Sequence, residues 1–488
     1  MTFNSLQFLA FFIAVLVVYY RLGRDGQNRL MVLAAAVFYG AFDWRFLFLL
    51  AASTLVDYGV GRGLDATDDI RRRRALLATS LTFQLGILGF FKYFNFFTSS
   101  AASALHRFGL RGDFVTIHVL LPVGISFYTF QTLAYVFAVY RRQWKAERNL
   151  VVFATFVSWF PTLLAGPIER APALLPQIKR RRDPPSGRAV ESGLLLILMG
   201  LVKKVVIADA LATYVDSVYA QPHTYGWATL VLASVGFAVE VYGDFAGYSD
   251  IARGVSRLLG VELMRNFEQP FLSRDIRELW QRWHTSLASW FVDFVGQPLG
   301  GARQGRWRTA LNVMIIFALI GLWHGPAWHF VVWGLFNGAL IVIWRAFFPV
   351  SKRRHPMKLR LGEIPAIALT FVLFAAGAVF FRAASIHDAG VVFERILLLR
   401  PGVWGGSSAA LVPIMLTFAV VLDLVERRAR IRTIETLRIR ARLGAEASPA
   451  EAAHETLFVG MGVLPAGALL GLLSVALIVF SGGRWMRA

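Results

Sequence analysis

"FALIGLWHGPAW", Phe317 to Trp328, sets seven uncharged residues in front of one histidine, His324. From Leu311 to Trp323 the run contains a single strongly polar group, Asn312. Gly325 and Pro326 then break it. Whether this run is a core helix or a membrane span decides the fold, and the rest of the chain answers. Apolar runs recur along the whole length, many close to the ~20 residues a helix needs to cross a bilayer. The 488 residues are 56% hydrophobic, with mean hydropathy +0.55. These properties indicate an all-α polytopic membrane protein, so the length-to-domain arithmetic of soluble chains does not apply.

Candidate spans fall near 6–20, 29–42, 46–60, 77–99, 118–140, 189–212, 226–247, 309–324, 327–349, 364–382, 409–425 and 457–481. The first follows "MTFNS" and lacks a basic flank and a small-residue cleavage site, so it reads as a retained span. There are no cysteines, which excludes disulfides, thiolate nucleophiles and thiolate metal sites.

The formal charge of +21 admits a nucleic-acid reading. The arginines, however, lie in loops between apolar runs, as the positive-inside bias requires. The partner implied is the lipid bilayer, with no nucleic acid. "YRLGRDGQNR", "RRRR" (Arg71 to Arg74), "RRQWKAER", "KRRRDPPSGR", "SKRRHPMKLR" and "ERRARIRTIETLRIRAR" are expected on the cytoplasmic side. Segment 150–167 would put two of these clusters on opposite sides if it spanned. It carries Pro161, Gly166 and Pro167, and a broken, re-entrant element removes the conflict. About 11–13 transmembrane or re-entrant helices result.

The longest polar insertion is 248–308, expected to be cytoplasmic. Within it, Ser273 to Phe294 places Ile276, Leu279, Trp280, Trp283, Leu287, Trp290, Phe291 and Phe294 on one helical stripe about 120° wide. Arg274, Asp275, Glu278, Gln281, Arg282 and Asp293 fall outside it. The expectation is one amphipathic helix, capped by Ser273 and lying at a membrane interface. His284 sits at the stripe's edge, as a hydrogen-bonded interfacial residue or as a functional one. "QPLGG", Gln297 to Gly301, ends the helix.

Polar groups near or inside the apolar runs are the functional candidates. Glu240, Asp244 and Asp250 close the run before the insertion, either lining a wet cavity or solvated beyond the span. Lys203 and Lys204 interrupt another run, by snorkelling or by meeting a phosphate. His324 is more deeply set. It is a structural histidine bonded to a neighbouring helix, or a proton carrier, since imidazole titrates near neutrality. No metal site is expected: His324 and His329 are about 140° apart around a helix, and HExxH, GxSxG and P-loop patterns are all missing from the chain.

Five stretches together resemble one family. They are "LPVGISFYTFQTLAYVFAVYR" (Leu121 to Arg141), "FPTLLAGPIER" (Phe160 to Arg170), "GLVKKVVIADALA" (Gly200 to Ala212), the segment Tyr242 to Phe291, and "GLWHGPAWHFVVWGLFNG" (Gly321 to Gly338). The family is the membrane-bound O-acyltransferases, in the branch of the bacterial alginate O-acetylation protein. The likeness covers most of 1–350, while 351–488 is recognisable only as further spans. The resemblance implies a single integral domain, 1–488, with helices around a central funnel. His324 matches the family's histidine at the narrow point, and His284 matches its second histidine. Asp244, Tyr248, Asp250, Asn266, Trp283, Trp323 and Asn337 become candidates for lining the funnel or the substrate path.

This chain departs from relatives at Val292–Asp293, where they commonly carry Arg–Asp. It also has Gly296–Gln297 where they have Tyr–Ile, and Asn337 where many have histidine. The activity implied is O-acetylation of an exported or cell-envelope polysaccharide, alginate-like. The donor implied is acetyl-CoA, with no bound cofactor, and the partner an extracytoplasmic SGNH-hydrolase-like acetyltransferase. The location implied is the bacterial inner membrane. Two alternatives stay open: transfer of another acyl group or to another acceptor (D-alanyl to teichoic acid, or a lipid), and a proton-coupled transporter.

Overall fold

The computed structural model describes residues 1–110, 120–301, 304–348, 359–442 and 471. The expected span at 457–481 and the cluster at 351–360 lie largely outside them. Regular structure among the described residues is helical, apart from one isolated bridge between Tyr225 and Val403. In chain order the helices are α1 (Leu6–Tyr19), α2 (Arg24–Gly40), α3 (Phe46–Asp65), α4 (Ile70–Leu88), α5 (Phe94–Arg107), α6 (Ile125–Tyr140), α7 (Leu150–Val157), α8 (Phe160–Leu163), α9 (Ala171–Lys179) and α10 (Gly187–Leu201). They continue as α11 (Asp209–Ala220), α12 (Trp227–Leu258), α13 (Ile276–Arg282), α14 (Thr285–Phe291), α15 (Arg306–His324), α16 (Trp328–Phe347), α17 (Ile364–Arg382), α18 (Ile386–Leu397) and α19 (Leu411–Arg442). Three wide π-turns interrupt this series, at Gly89–Tyr93, Val202–Ala208 and Val292–Gly296.

Seven helical stretches among the described residues are long and apolar enough to cross a membrane. Their outer faces carry bulky apolar side chains such as Phe48 (68% exposed), Leu369 (60%) and Val372 (60%). Water would not tolerate so much exposed hydrocarbon, whereas lipid does. The chain is a multi-pass membrane protein.

The contacts divide into two compact units. The first is Ala10–Asp183 with Leu322–Ala327, and the second is Thr2–Leu9, Pro184–Gly321 and the residues from Trp328 onward. In the first, α3, α4 and α6 pack together. Buried Asp57 accepts from Ser80 Oγ (2.6 Å) and Gln84 Nε2 (2.8 Å), joining α3 to α4 in apolar surroundings. Segment 150–167 is indeed broken. Asn149 caps α7, which has only eight residues, and α8, with Pro161 in its first turn, has four. Both are too short to cross a bilayer.

Two arginines of the basic clusters are structural. Arg73 donates to Thr67 O (3.0 Å) and Tyr140 O (2.7 Å), satisfying carbonyls left over where α3 and α6 end. Arg182 is 3% exposed. It reaches Tyr19 Oη (2.6 Å) and Asn28 Oδ1 (2.8 Å).

In the second unit α10 lies against α12 at very close range. A Cβ added at Gly200 would stand 2.5 Å from Gly247 O, and one at Gly247 would stand 2.7 Å from Gly200 O. Only glycine permits this backbone approach, the small-residue packing that membrane helices favour. The α12 helix runs on to Leu258, eleven residues past the expected end of its span, so the insertion is shorter than the polarity pattern implied.

The amphipathic helix expected over 273–294 is not continuous. It consists of α13 and α14, separated at Trp283–His284, where His284 adopts a left-handed conformation (φ 45°). Asp275, and not Ser273, caps α13, accepting from Glu278 N at 2.8 Å. The helix does not lie on an open interface either. Trp280, Trp283 and Trp290 are each less than 10% exposed. On the polar face Glu278 is buried and paired with Arg274 (3.1 Å) and Arg282. The stripe pattern recorded the apolar contacts correctly, but protein also covers Arg274 and Glu278 on the polar face, while Gln281 stays exposed.

Candidate active site

In the first unit, α15 ends at His324, and the carbonyls of Leu322 and Trp323 and the Trp323 ring are held there by neighbouring helices. The π-turn Gly89–Tyr93 adds a residue to the helix formed by α4 and α5. From it Tyr93 Oη donates to Leu322 O (3.0 Å), and Lys92 Nζ donates to Trp323 O and to Ser126 Oγ (3.3 Å). A helix end leaves carbonyls unsatisfied and carries partial negative charge, so an ammonium is well placed there. Trp323 packs between Phe127 (5.3 Å) and Phe130 (5.9 Å) and stands edge-on to the His324 ring (4.9 Å). The charge on Lys92 is close enough to be felt at the imidazole. This group of Lys92, Tyr93, Trp323 and His324 therefore joins a proton acceptor to a fixed cation in an apolar setting. Sequence reading passed over Lys92, although a lone lysine in "GFFKYFNFF" is the kind of intramembrane charge that marks a site.

In the second unit, His284 is 2% exposed. Its Nδ1 lies 3.0 Å from Asn266 Oδ1, which also accepts from Ser286 N (3.3 Å) and Ser286 Oγ (2.9 Å). Asn266 Nδ2 donates to Ser249 Oγ at 3.3 Å. An amide oxygen only accepts, so the imidazole donates through Nδ1–H, and in the neutral ring the lone pair is on Nε2. Phe245 meets the ring edge-on at 4.6 Å. The left-handed backbone at His284 is the strain expected where a side chain is aimed for a task.

The other candidates scatter. Trp283 packs on Phe267 (5.1 Å) and Phe374 (4.7 Å) beside His284. Tyr248 stacks on Phe3 at 4.6 Å. Asn337 gives Nδ2 to Trp333 O (2.9 Å), and its buried Oδ1 meets no hydrogen-bond partner among the described residues. Two acids within α12 pair with the two lysines. Asp250 binds Lys203 (2.7 Å), which also binds Glu426 (2.5 Å), while Asp244 binds Lys204, which also binds Asp209 (3.0 Å). Lys203 is buried in its pair, whereas the Lys204–Asp244 pair lies at the surface with the Asp244 side chain exposed. Between α12 and α13, burial and then the neighbouring Arg253 and Arg430 push the Arg265 guanidinium down to about 9. Burial alone would raise Glu268, but Arg430, Arg265 and Arg282 outweigh it and hold this carboxyl below its ordinary range.

A family signature described as MBOAT, membrane-bound O-acyltransferase family, matches residues 81–382 and so takes in both histidine sites. The chain belongs to the membrane-bound O-acyltransferase family. As a member it is an O-acyltransferase. It is similar to the probable alginate O-acetylase AlgI of Pseudomonas putida, 37% identical over 80% of this chain and 79% of that one. It is also similar to the peptidoglycan O-acetyltransferase of Helicobacter pylori, 30% identical over 76% of this chain and 73% of the relative. The teichoic acid D-alanyltransferase of Bacillus subtilis is a more distant relative, 29% identical over 54% of this chain.

Proposed function

We propose that this acyltransferase moves an acetyl group from a cytoplasmic thioester to a hydroxyl of a cell-envelope polysaccharide, with His324 as the base. The observation that carries the reading is the end of α15: an imidazole in an apolar setting, directly after two residues whose carbonyls Tyr93 and Lys92 hold. The relatives that match most of this chain and bear acetyl-transfer names supply the acyl group and the acceptor class.

In the step proposed, His324 removes the proton of an attacking hydroxyl, whose oxygen bonds to the thioester carbonyl carbon. The Lys92 ammonium favours negative charge developing nearby. The tetrahedral adduct then expels the thiolate, which takes the proton back from the imidazolium. With no cysteine in the chain, no internal thioester takes part. His284, its tautomer set by Asn266, is the second functional histidine. The donor is acetyl-CoA, whose phosphates the basic loops attract. The acceptor is reached through an extracytoplasmic SGNH-hydrolase-like partner, and the location is the bacterial inner membrane.

The test is ester-linked acetate on the exported polysaccharide of the native host, wild type against His324→Ala, at matched membrane levels. Acetate should vanish while polymer export persists. Unchanged acetate would overturn the role of His324, and loss of the polymer itself would favour transport.

A further inference from the structure

Ser126 stands second in α6 and is 6% exposed. Its oxygen accepts from Lys92 Nζ at 3.3 Å, and Phe127 and Phe130 of the same helix pack on Trp323. The first turns of α6 therefore form a wall of the His324 site. Gly124 fixes that wall by capping α6 in a left-handed conformation (φ 76°). A Cβ there would stand 2.4 Å from Leu163 O, so only glycine lets α6 start against α8.

Helical serines and threonines often return their hydroxyl proton to the carbonyl four residues back. In this unit Thr54 donates to Leu50 O (2.7 Å), Thr79 to Ala75 O (3.0 Å) and Thr155 to Val151 O (2.8 Å). Ser126 does not. Four residues before it is Pro122, which lies outside the helix and whose carbonyl accepts from Ile125 N (3.3 Å). The Ser126 hydroxyl proton meets no acceptor among the described residues. The side chain thus has its oxygen engaged by a cation and its proton unspent. An ammonium bonded to a hydroxyl oxygen polarises the O–H and makes it a stronger donor. Keeping a buried hydroxyl proton unspent costs stability, and here it is kept beside a base and a fixed cation.

We propose that Ser126 donates a hydrogen bond to the carbonyl oxygen of the thioester as negative charge develops there, next to the Lys92 ammonium. The inference rests on the reading of His324 as the base. As the attacking oxygen bonds to the carbonyl carbon, an electron pair of the C=O bond moves onto the carbonyl oxygen, which Ser126 and Lys92 then hold together. When that pair returns, the carbon–sulfur bond breaks and the thiolate leaves. The Ser126 hydroxyl keeps its proton throughout. Ser126 is not itself the nucleophile, because a cation bonded to its oxygen makes the hydroxyl a better donor and a poorer attacker.

The experiment uses membrane vesicles of the native host, which keep the enzyme with its partners. It follows radiolabelled acetate from acetyl-CoA into ester linkage on the polysaccharide, at matched enzyme levels. Ser126→Ala should lower turnover about tenfold or more, with the Michaelis constant for acetyl-CoA little changed. Ser126→Thr, which keeps the hydroxyl, should stay within about threefold of wild type. Ser103→Ala, at an exposed hydroxyl closed onto Ser99 O, should have no effect. A serine that only holds Lys92 in place would cost nothing further in a Lys92→Met background, whereas direct donation leaves a further loss of about threefold or more there. Near-normal turnover in Ser126→Ala, a change confined to the Michaelis constant, or no further loss in the Lys92→Met background overturns the proposal and leaves His324 in its role. Wild-type vesicles that transfer no acetate, or His324→Ala vesicles as active as wild type, overturn the reading beneath it and the proposal with it.

Discussion

The two histidine sites are held in different ways. At His324 the support reaches the backbone: Tyr93 and Lys92 grip the carbonyls of Leu322 and Trp323, fixing where the helix ends. At His284 the support reaches the ring, through Asn266, and the main chain is bent into a left-handed turn to bring it there. A grip on the backbone sets position. A bond to the ring sets position and also which nitrogen carries the proton. Substitutions around the two sites should therefore fail differently.

The sharpest separation comes from His284→Asn. Asparagine tolerates the left-handed conformation better than other non-glycine residues, so the turn between α13 and α14 should survive. If the imidazole matters, acetyl transfer should fall about 100-fold or more at unchanged membrane levels, the loss expected when a proton-transfer group is removed. Near-normal acetate in this variant would reduce His284 to a residue that merely permits a turn.

Asn266 comes next. Asn266→Leu removes the acceptor shared by His284 Nδ1, Ser286 N and Ser286 Oγ. Leaving buried donors unmet costs about 1–3 kcal/mol each, so a marked fall in thermal stability and an activity loss of about tenfold or more are expected. Asn266→Asp keeps the acceptor and adds a negative charge, which favours the imidazolium. Its stability should stay closer to wild type, and the acid limb of the pH–activity profile should move to higher pH. A profile that does not move would show that the ring's protonation is not being read out.

Much of this arrangement was legible in the sequence, and the exceptions share a cause. The apolar run ending in Gly325–Pro326 announced α15 and the place of His324, because a span and its break are both written in adjacent residues. The aromatic stripe Trp280, Trp283, Leu287, Trp290 was real, yet it was read as one helix at an interface. Periodicity reports which residues face apolar surroundings; it does not report a one-residue reversal of φ at His284 or whether those surroundings are lipid or protein. Asn266 is a lining candidate through the family resemblance, but its bond to His284, 18 positions later, is tertiary and is not written in its local context. Arg73 and Arg182 read only as members of basic cytoplasmic clusters, because charge counting does not distinguish a side chain in water from one satisfying a helix end. Asp244, Asp250, Lys203 and Lys204 stand out in the sequence as charges in or beside apolar runs, but the pairing between them is tertiary.

The smallest effects belong to the backbone grip, and they decide whether position alone explains His324. Lys92→Met keeps length and apolar volume but removes the charge and the bond to Trp323 O. Tyr93→Phe removes one neutral hydrogen bond to Leu322 O. If the lysine only pins the carbonyl, the two variants should be alike, since each loses one anchor of roughly 1 kcal/mol, or severalfold in rate. If its charge also favours the developing oxyanion, Lys92→Met should lower the turnover number about tenfold with little change in the Michaelis constant, while Tyr93→Phe stays within severalfold of wild type. Matching losses in the two variants would assign Lys92 to helix-end capping, and a loss confined to turnover would place its ammonium in the chemistry.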